Sequence, residues 1–289
     1  MFGLYKFIVS VVLGIVQGVT EWLPVSSKTQ IIITSEYILK LNFQQAYAFG
    51  LFMEIGTILA AVIYFRREVW SLLLALVGKG NAMDKKLFVF VLISTIITGI
   101  VAVPLYVTVD SMAGGYNIGL PMIVLGVILF VDAFVVWYSR SKYAVDKKRK
   151  TLHNMNIKEY IYVGIAQGLA ALPGVSRSGS TISTMLVLNT EANEAFRLSF
   201  LIGIFATTAA VFVTLIFTKG VVSTAIAEVG TIGIIIAIII ATGISLVLID
   251  FLLNIAKKSK IIYLITALGI IAIAGGIIIS FFPLGFGAG

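Results

Sequence analysis

Apolar residues run through this chain in stretches long enough to cross a bilayer and almost free of charge. A helix needs about 20 mostly apolar residues to span the hydrocarbon core. Six stretches meet that length, at 46–65, 86–108, 117–138, 195–217, 230–252 and 261–281. Pro104 and Pro121 fall inside or at the start of two of them, which membrane helices tolerate. Only 12% of the residues are charged, and 60% are hydrophobic. A soluble domain averages about 25% charged residues, so this chain has too little charge to cover itself in water. It reads as a polytopic, all-α membrane protein forming a single integral domain over 1–289.

Two further apolar stretches, 4–39 and 155–190, are interrupted near their middles by Pro, Gly and several Ser. Neither half of either stretch spans comfortably. Each predicts a re-entrant helix–loop–helix that enters and leaves on one side. Irregular backbone at membrane depth is tolerated only when buried in protein or lining a cavity. With six spans and two re-entrant elements, the loops near 66–85, 139–158 and 253–260 share one side and hold most of the 21 Lys and Arg residues. The opposite loops, 109–116 and 218–229, carry only Lys219. The positive-inside rule then makes the basic loops cytoplasmic and puts both termini outside. The net charge of +8 is thereby a topology signal, and a nucleic-acid partner is not expected. Asp132 and Asp250 lie near the basic ends of spans, where pairing with Lys or Arg is expected. At the N-terminus, the apolar stretch 7–14 runs into Gln17 and Glu21 without a small-residue cleavage site, so no cleavable signal is expected. There is no cysteine, hence no thiol chemistry, and the single histidine, His153, lies in a basic loop, which excludes a histidine-cluster metal site.

The two interrupted stretches resemble each other without gaps at an offset of 150 residues. Gly14-Ile15 recurs as Gly164-Ile165, Gln17-Gly18 as Gln167-Gly168, and Val25-Ser26 as Val175-Ser176. An aromatic-led span follows each, from Phe49 and from Phe200. Two repeats are expected, about 1–140 and 151–285, each with one re-entrant element and three spans. Three is odd, so the second repeat is expected upside down relative to the first. Inverted repeats place a site near the midplane where their broken helices meet.

The first tip reads Gln17-Gly-Val-Thr-Glu21-Trp-Leu-Pro24-Val-Ser26-Ser27-Lys28-Thr29-Gln30. Gln17 and Glu21, four apart, share one helix face. Pro24 ends that helix, and Ser26, Ser27, Lys28 and Thr29 begin the next, where a helix N-terminus is a ready anion site. The second tip reads Pro173-Gly174-Val-Ser176-Arg177-Ser178-Gly179-Ser180-Thr181. Ser176, Ser178, Ser180 and Thr181 supply hydroxyls, Gly174 and Gly179 allow close backbone approach, and Arg177 offers a guanidinium fork suited to phosphate oxygens. Charges inside a bilayer are costly and mark function by default. Glu21 could equally neutralise Arg177 or Lys28 as a buried pair. Mid-span Glu54 is a further candidate for the same cavity, and Glu194 with Arg197 opens a span beside the second tip. The set favours an anion, phosphate above all, carried on a lipid.

At these two tips the sequence resembles the undecaprenyl-diphosphate phosphatases of the bacitracin-resistance (BacA-type) family. Pro173-Gly174-Val-Ser176-Arg177-Ser178-Gly179 matches that family's PGxSRSG motif, and Gln17-x-x-x-Glu21 its (E/Q)xxxE motif. The resemblance implies hydrolysis of a polyprenyl diphosphate to the monophosphate and inorganic phosphate at the outer face of the cell membrane, in lipid-carrier recycling. It implies a divalent cation, Mg²⁺ or Ca²⁺, with Glu21 as metal ligand or base and Gln17 beside it. Ser27 would be a candidate nucleophile and Arg177 a phosphate clamp. The remaining tip residues, Ser26, Lys28, Thr29, Gln30, Gly174, Ser176, Ser178, Gly179, Ser180 and Thr181, would bind substrate. Expected partners are the polyprenyl-diphosphate lipid, membrane lipids and a second copy of the chain. One departure stands out: Gln30 occupies the place of a family histidine, and glutamine cannot act as nucleophile or base at neutral pH. An attack by Ser27 or by water, with Glu21 as base, would not need that histidine. A non-hydrolytic transporter or flippase of a polyprenyl phosphate is the rival reading, since inverted repeats suit alternating access.

Overall fold

The computed structural model describes residues 3–23, 27–41, 43–111, 149–172, 175–217 and 226–257, with isolated positions at 127, at 223 and beyond 262. The described residues are overwhelmingly helical, with one isolated bridge between Lys150 and Thr190 as the β pairing among them. In chain order the helices are α1 (Leu4–Thr20), α2 (Ser27–Leu39), α3 (Phe43–Tyr64), α4 (Arg66–Leu76) and α5 (Ala82–Ser111), then α6 (Ile157–Leu169), α7 (Arg177–Val187), α8 (Ala192–Phe217) and α9 (Thr231–Lys257). Helices α5, α8 and α9 are each long and apolar enough to cross a membrane. The protein is an all-α, multi-pass membrane protein. The expected spans 117–138 and 261–281 lie almost wholly outside the described residues, as does Asp132.

The span expected at 46–65 forms as α3, but the segment after it, expected as a loop, continues as a helix. Helix α4 follows α3 at a bend of 82°. Its sequence gives the reason. Arg66 opens it and stays exposed with Arg67, while Leu72 is buried. Such a helix keeps its charged start in water and its apolar face against the core.

Both interrupted stretches form two-helix hairpins, α1–α2 and α6–α7. Asn156 starts α6 with a reciprocal capping box, its side chain accepting from the Glu159 N–H while Glu159 accepts from its own. Ser176 caps α7 by accepting from the Gly179 N–H at 3.1 Å.

The hairpins dock by exchange. Gly14 and Gly18 of α1 press against α9 so closely that an added Cβ would fall 2.6 Å from the Ala237 carbonyl oxygen and 2.9 Å from that of Ala241. Gly164 and Gly168 of α6 meet α5 in the same way, at 2.7 Å from the Ser94 carbonyl oxygen and 2.5 Å from Val101 Cβ. Lipid tails are as apolar as leucine, so membrane helices associate through close packing of small residues and interhelical hydrogen bonds. Both devices occur at each seam. Gln167 Nε2 of α6 donates to Thr98 Oγ1 of α5 at 3.0 Å, and Ser245 Oγ of α9 donates to the Gly18 carbonyl of α1 at 3.3 Å. Each hairpin is thus held by a long helix from the other half of the chain, and residues beside the two tips, Glu21 and Leu23 on one and Arg177 and Ser178 on the other, come together in the interior.

Candidate active site

Helix α1 ends by delivering Gln17 and Glu21 into the interior, 1% and 5% exposed. Glu21 accepts three hydrogen bonds. Arg177 Nη2 donates to Oε1 at 2.5 Å, Ser27 Oγ to Oε2 at 2.7 Å, and Gln17 Nε2 to the same Oε2 at 3.0 Å. The carboxylate therefore joins α1, the first residue of α2 and the first residue of α7. The buried-pair reading of Glu21 and Arg177 is realised, and it brings the Ser27 hydroxyl along with it.

Two more bonds stitch the tips. Lys28 Nζ donates to the Ala170 carbonyl at 2.9 Å, satisfying an acceptor left over at the C-terminal end of α6. Ser178 Oγ donates to the Leu23 carbonyl at 3.0 Å. On the other side of the ion pair lies Trp22, 2% exposed, with Arg177 Cζ 5.8 Å from its ring centre. Trp22 packs edge-on against Phe200 of α8 at 4.9 Å.

A small polar crevice lies between the tips, lined by Glu21, Ser27, Lys28, Glu54, Val175, Ser176 and Arg177. Its walls include the N-terminal ends of both α2 and α7. Amide N–H groups and the positive end of the helix dipole converge there, which suits an anion. Lys28, Glu54 and Arg177 also border a second, largely apolar cavity, whose other walls include Leu51, Ala102, Val103, Ala206, Ala210 and Val213. A polar crevice that shares these three walls with an apolar cavity suits a ligand with a charged head and a hydrocarbon tail.

The remaining expected site residues take varied positions. Ser180 Oγ donates to the Ser176 carbonyl and Thr181 Oγ1 to that of Arg177, so both bond one turn back along their own helix. Thr181 also shares a hydrogen bond with Ser199 of α8 at 2.6 Å. The Gly179 N–H is held by Ser176. Gln30 is half-buried in α2, and its carbonyl accepts from Thr34. Ser26 and Gly174, like Pro24 and Pro173, lie outside the described residues, as does the side chain of Thr29. Away from the site, Asp250 accepts from Tyr64 at 2.9 Å and from Asn254 at 3.0 Å, not from the Lys or Arg expected. Arg197 binds Glu194 and reaches Glu68 of α4, an ion-pair cluster clear of the crevice.

Three features of the site carried no signal in the sequence. Trp22 read as one more apolar residue, and the small residues lining the apolar cavity read as ordinary membrane helix. Gly203 of α8 sits against the Arg177 guanidinium, where an added Cβ would fall 2.7 Å from Cζ and closer still to Nη1.

Oxygen donors are available for a hard cation. Glu21 and Glu54 both line the crevice. Glu54 is 2% exposed, and its Oε2 has no hydrogen-bond partner. Gln17 Oε1 is likewise buried without a partner. Carboxylate and amide oxygens are what Mg²⁺ and Ca²⁺ take. No group of three or more His, Cys, Asp or Glu occurs among the described residues, so such an ion would also draw oxygens from substrate or water.

Comparison with known proteins agrees with this geometry. Residues 10–274 match the sequence model of the family described as bacitracin resistance protein BacA. A protein of Saccharolobus solfataricus named undecaprenyl-diphosphatase is 49% identical over 272 residues, covering 94% of this chain and 96% of its own. One of the same name from Sulfurisphaera tokodaii is 45% identical over 264 residues, covering 91% and 94%. Another, from Pyrobaculum aerophilum, is 36% identical over 271 residues, covering 93% and 97%. On the match over nearly its whole length, this chain belongs to the BacA family.

Proposed function

We propose that this protein hydrolyses a polyprenyl diphosphate of the undecaprenyl type to the monophosphate and inorganic phosphate, in recycling of a lipid carrier. The observation that carries the reading is the 2.7 Å hydrogen bond from Ser27 Oγ to Glu21, inside a crevice walled by two helix N-termini, Lys28 and Arg177. The name shared by the relatives supports hydrolysis, and the transporter reading has no comparable support.

The diphosphate enters the crevice with its first isoprene units in the adjoining apolar cavity. Arg177, Lys28 and the amides opening α2 and α7 hold phosphate oxygens. Ser27 Oγ attacks the terminal phosphorus and gives its proton to Glu21. The bond from that phosphorus to the bridging oxygen breaks, and the polyprenyl monophosphate leaves with the electron pair. Glu21 passes that proton to the departing monophosphate, and the restored carboxylate takes a proton from the water that attacks the phosphoserine. Glu21 then gives this proton to Ser27 Oγ as inorganic phosphate departs. Gln30 takes no part in proton transfer. Glu21, Glu54 and Gln17 would hold a divalent cation, which would neutralise charge on the phosphoryl oxygens. The basic loops face the cytoplasm, and the crevice and termini face outward, as the charge asymmetry supports.

Phosphate release from the purified protein, given a C55 polyprenyl diphosphate and Mg²⁺ or Ca²⁺, tests the reading. Release is expected from the parent and loss from Ser27→Ala. Clear lipid binding with no release under any divalent ion would sink it.

A further inference from the structure

Arg177 enters the site through a gap in a neighbouring helix. Its Cα belongs to the first turn of α7, and its guanidinium lies between Trp22 and Gly203, which sits in the interior of α8. Nη2 is fixed on Glu21. Nη1 is buried and has no acceptor. Nη1 is also the atom nearest to Gly203, so it lies in that gap, while Arg177 as a residue lines the crevice.

Gly203 differs from the other glycines packed in the interior. At Gly14, Gly18, Gly56 and Gly164, an added Cβ would meet the backbone and β-carbons of an apposed helix. At Gly203 the three nearest atoms, Nη1, Cζ and Nη2, all belong to the head of Arg177. Glycine inside a helix is less favourable than alanine. The space it leaves is filled by a cation.

We infer that Gly203 is a positioning residue for the phosphate-binding arginine, a notch in α8 that seats the guanidinium and keeps it aligned on Glu21 at the wall of the crevice. An alanine there bears first on the guanidinium, whose atoms are the nearest to it. The guanidinium turns out of the notch and loses its alignment on Glu21 and on the anion. The inference rests on the proposed phosphate site, although part of its test is independent of turnover.

The experiment uses the full-length protein in detergent and reads three quantities, namely affinity for inorganic pyrophosphate, KM and kcat with a C55 diphosphate, and the melting temperature. Gly203→Ala is expected to weaken pyrophosphate binding and raise KM by about tenfold or more, the effect of losing a charge-assisted hydrogen bond, with a smaller change in kcat. Gly243→Ala, on α9, where an added Cβ meets nothing within 4 Å, is expected to leave affinity, KM and kcat unchanged and to raise the melting temperature slightly, as alanine does inside a helix. Arg177→Gln stops short of the notch, so adding Gly203→Ala to it is expected to leave affinity unchanged and not to lower the melting temperature. Unchanged pyrophosphate affinity in Gly203→Ala overturns the inference. So does an equal effect of Gly203→Ala in the parent and in Arg177→Gln. If Gly203→Ala fails to fold, the double variant must fold, and its failure is also contrary. Absence of phosphate release from the parent would count against hydrolysis, while the binding and melting comparisons would still decide the role of Gly203.

Discussion

The two re-entrant tips share a scaffold and differ in chemistry. Both start from a helix carrying Gly-x-x-Gln-Gly, both dock by a pair of glycines, and both present a second helix N-terminus to the same crevice. At the 150-residue offset, however, Glu21 faces Ala171 and Ser27 faces Arg177. The first tip holds the carboxylate and the hydroxyl hydrogen-bonded to it, and the second holds the guanidinium. Lys28 and Ser178, at matching positions, each bond the backbone of the opposite tip. Duplication supplied the frame and the cross-bracing, and substitution at a few equivalent positions made the halves complementary.

That comparison is most directly broken at the reactive pair. Ser27→Ala or Glu21→Gln is expected to lower the rate of phosphate release by about 10²–10⁴, while Ala171→Ser at the matching site of the second tip has a far smaller effect. Equal losses at both tips would mean that the division of labour is wrong. Replacing Glu21 by Ala should also lower stability, by about 3–5 kcal/mol, because Arg177 would remain buried without its partner. Thermal unfolding of Glu21→Ala against Glu21→Gln separates that cost from catalysis.

The shared scaffold makes a different demand. Gly18→Leu and Gly168→Leu are each expected to destabilise the protein, by about 1–3 kcal/mol for an overpacked seam, and to similar extents. A large effect at one and none at the other would show that the seams are not equivalent. Smallest of all, Ser180→Ala is expected to stay within about 0.5 kcal/mol and to keep activity, because its hydroxyl bonds only its own helix. A strong loss of substrate affinity there would return that hydroxyl to the binding site.

Much of this was legible in the sequence because the bilayer is a demanding solvent. The apolar runs that became α3, α5, α8 and α9 could be little else, and Glu21, Lys28 and Arg177 stood out because charge at membrane depth needs a reason. The repeat showed because its matches fell on Gln, Gly and Ser. Other features depended on geometry that spacing does not encode. The hydroxyls of Ser180 and Thr181 read as ligand groups, yet a Ser or Thr within a helix has a carbonyl of the preceding turn within reach. Helix α4 was hidden because the arginines that end the span also begin a helix in a new direction. Asp250 found Tyr64, a residue 186 positions away. Gly203 was invisible because its role is to be absent, and only the arrival of Arg177 from another helix gives the gap a meaning.

The exchanged glycine seams also bear on how the molecule is made. Helix α1 is translated well before α9, the surface that Gly14 and Gly18 fit. Until α9 arrives the first hairpin lacks that seam. Assembly of this protein therefore includes a step between segments far apart in the chain, the closing of α1 onto α9, which fixes the first tip in place.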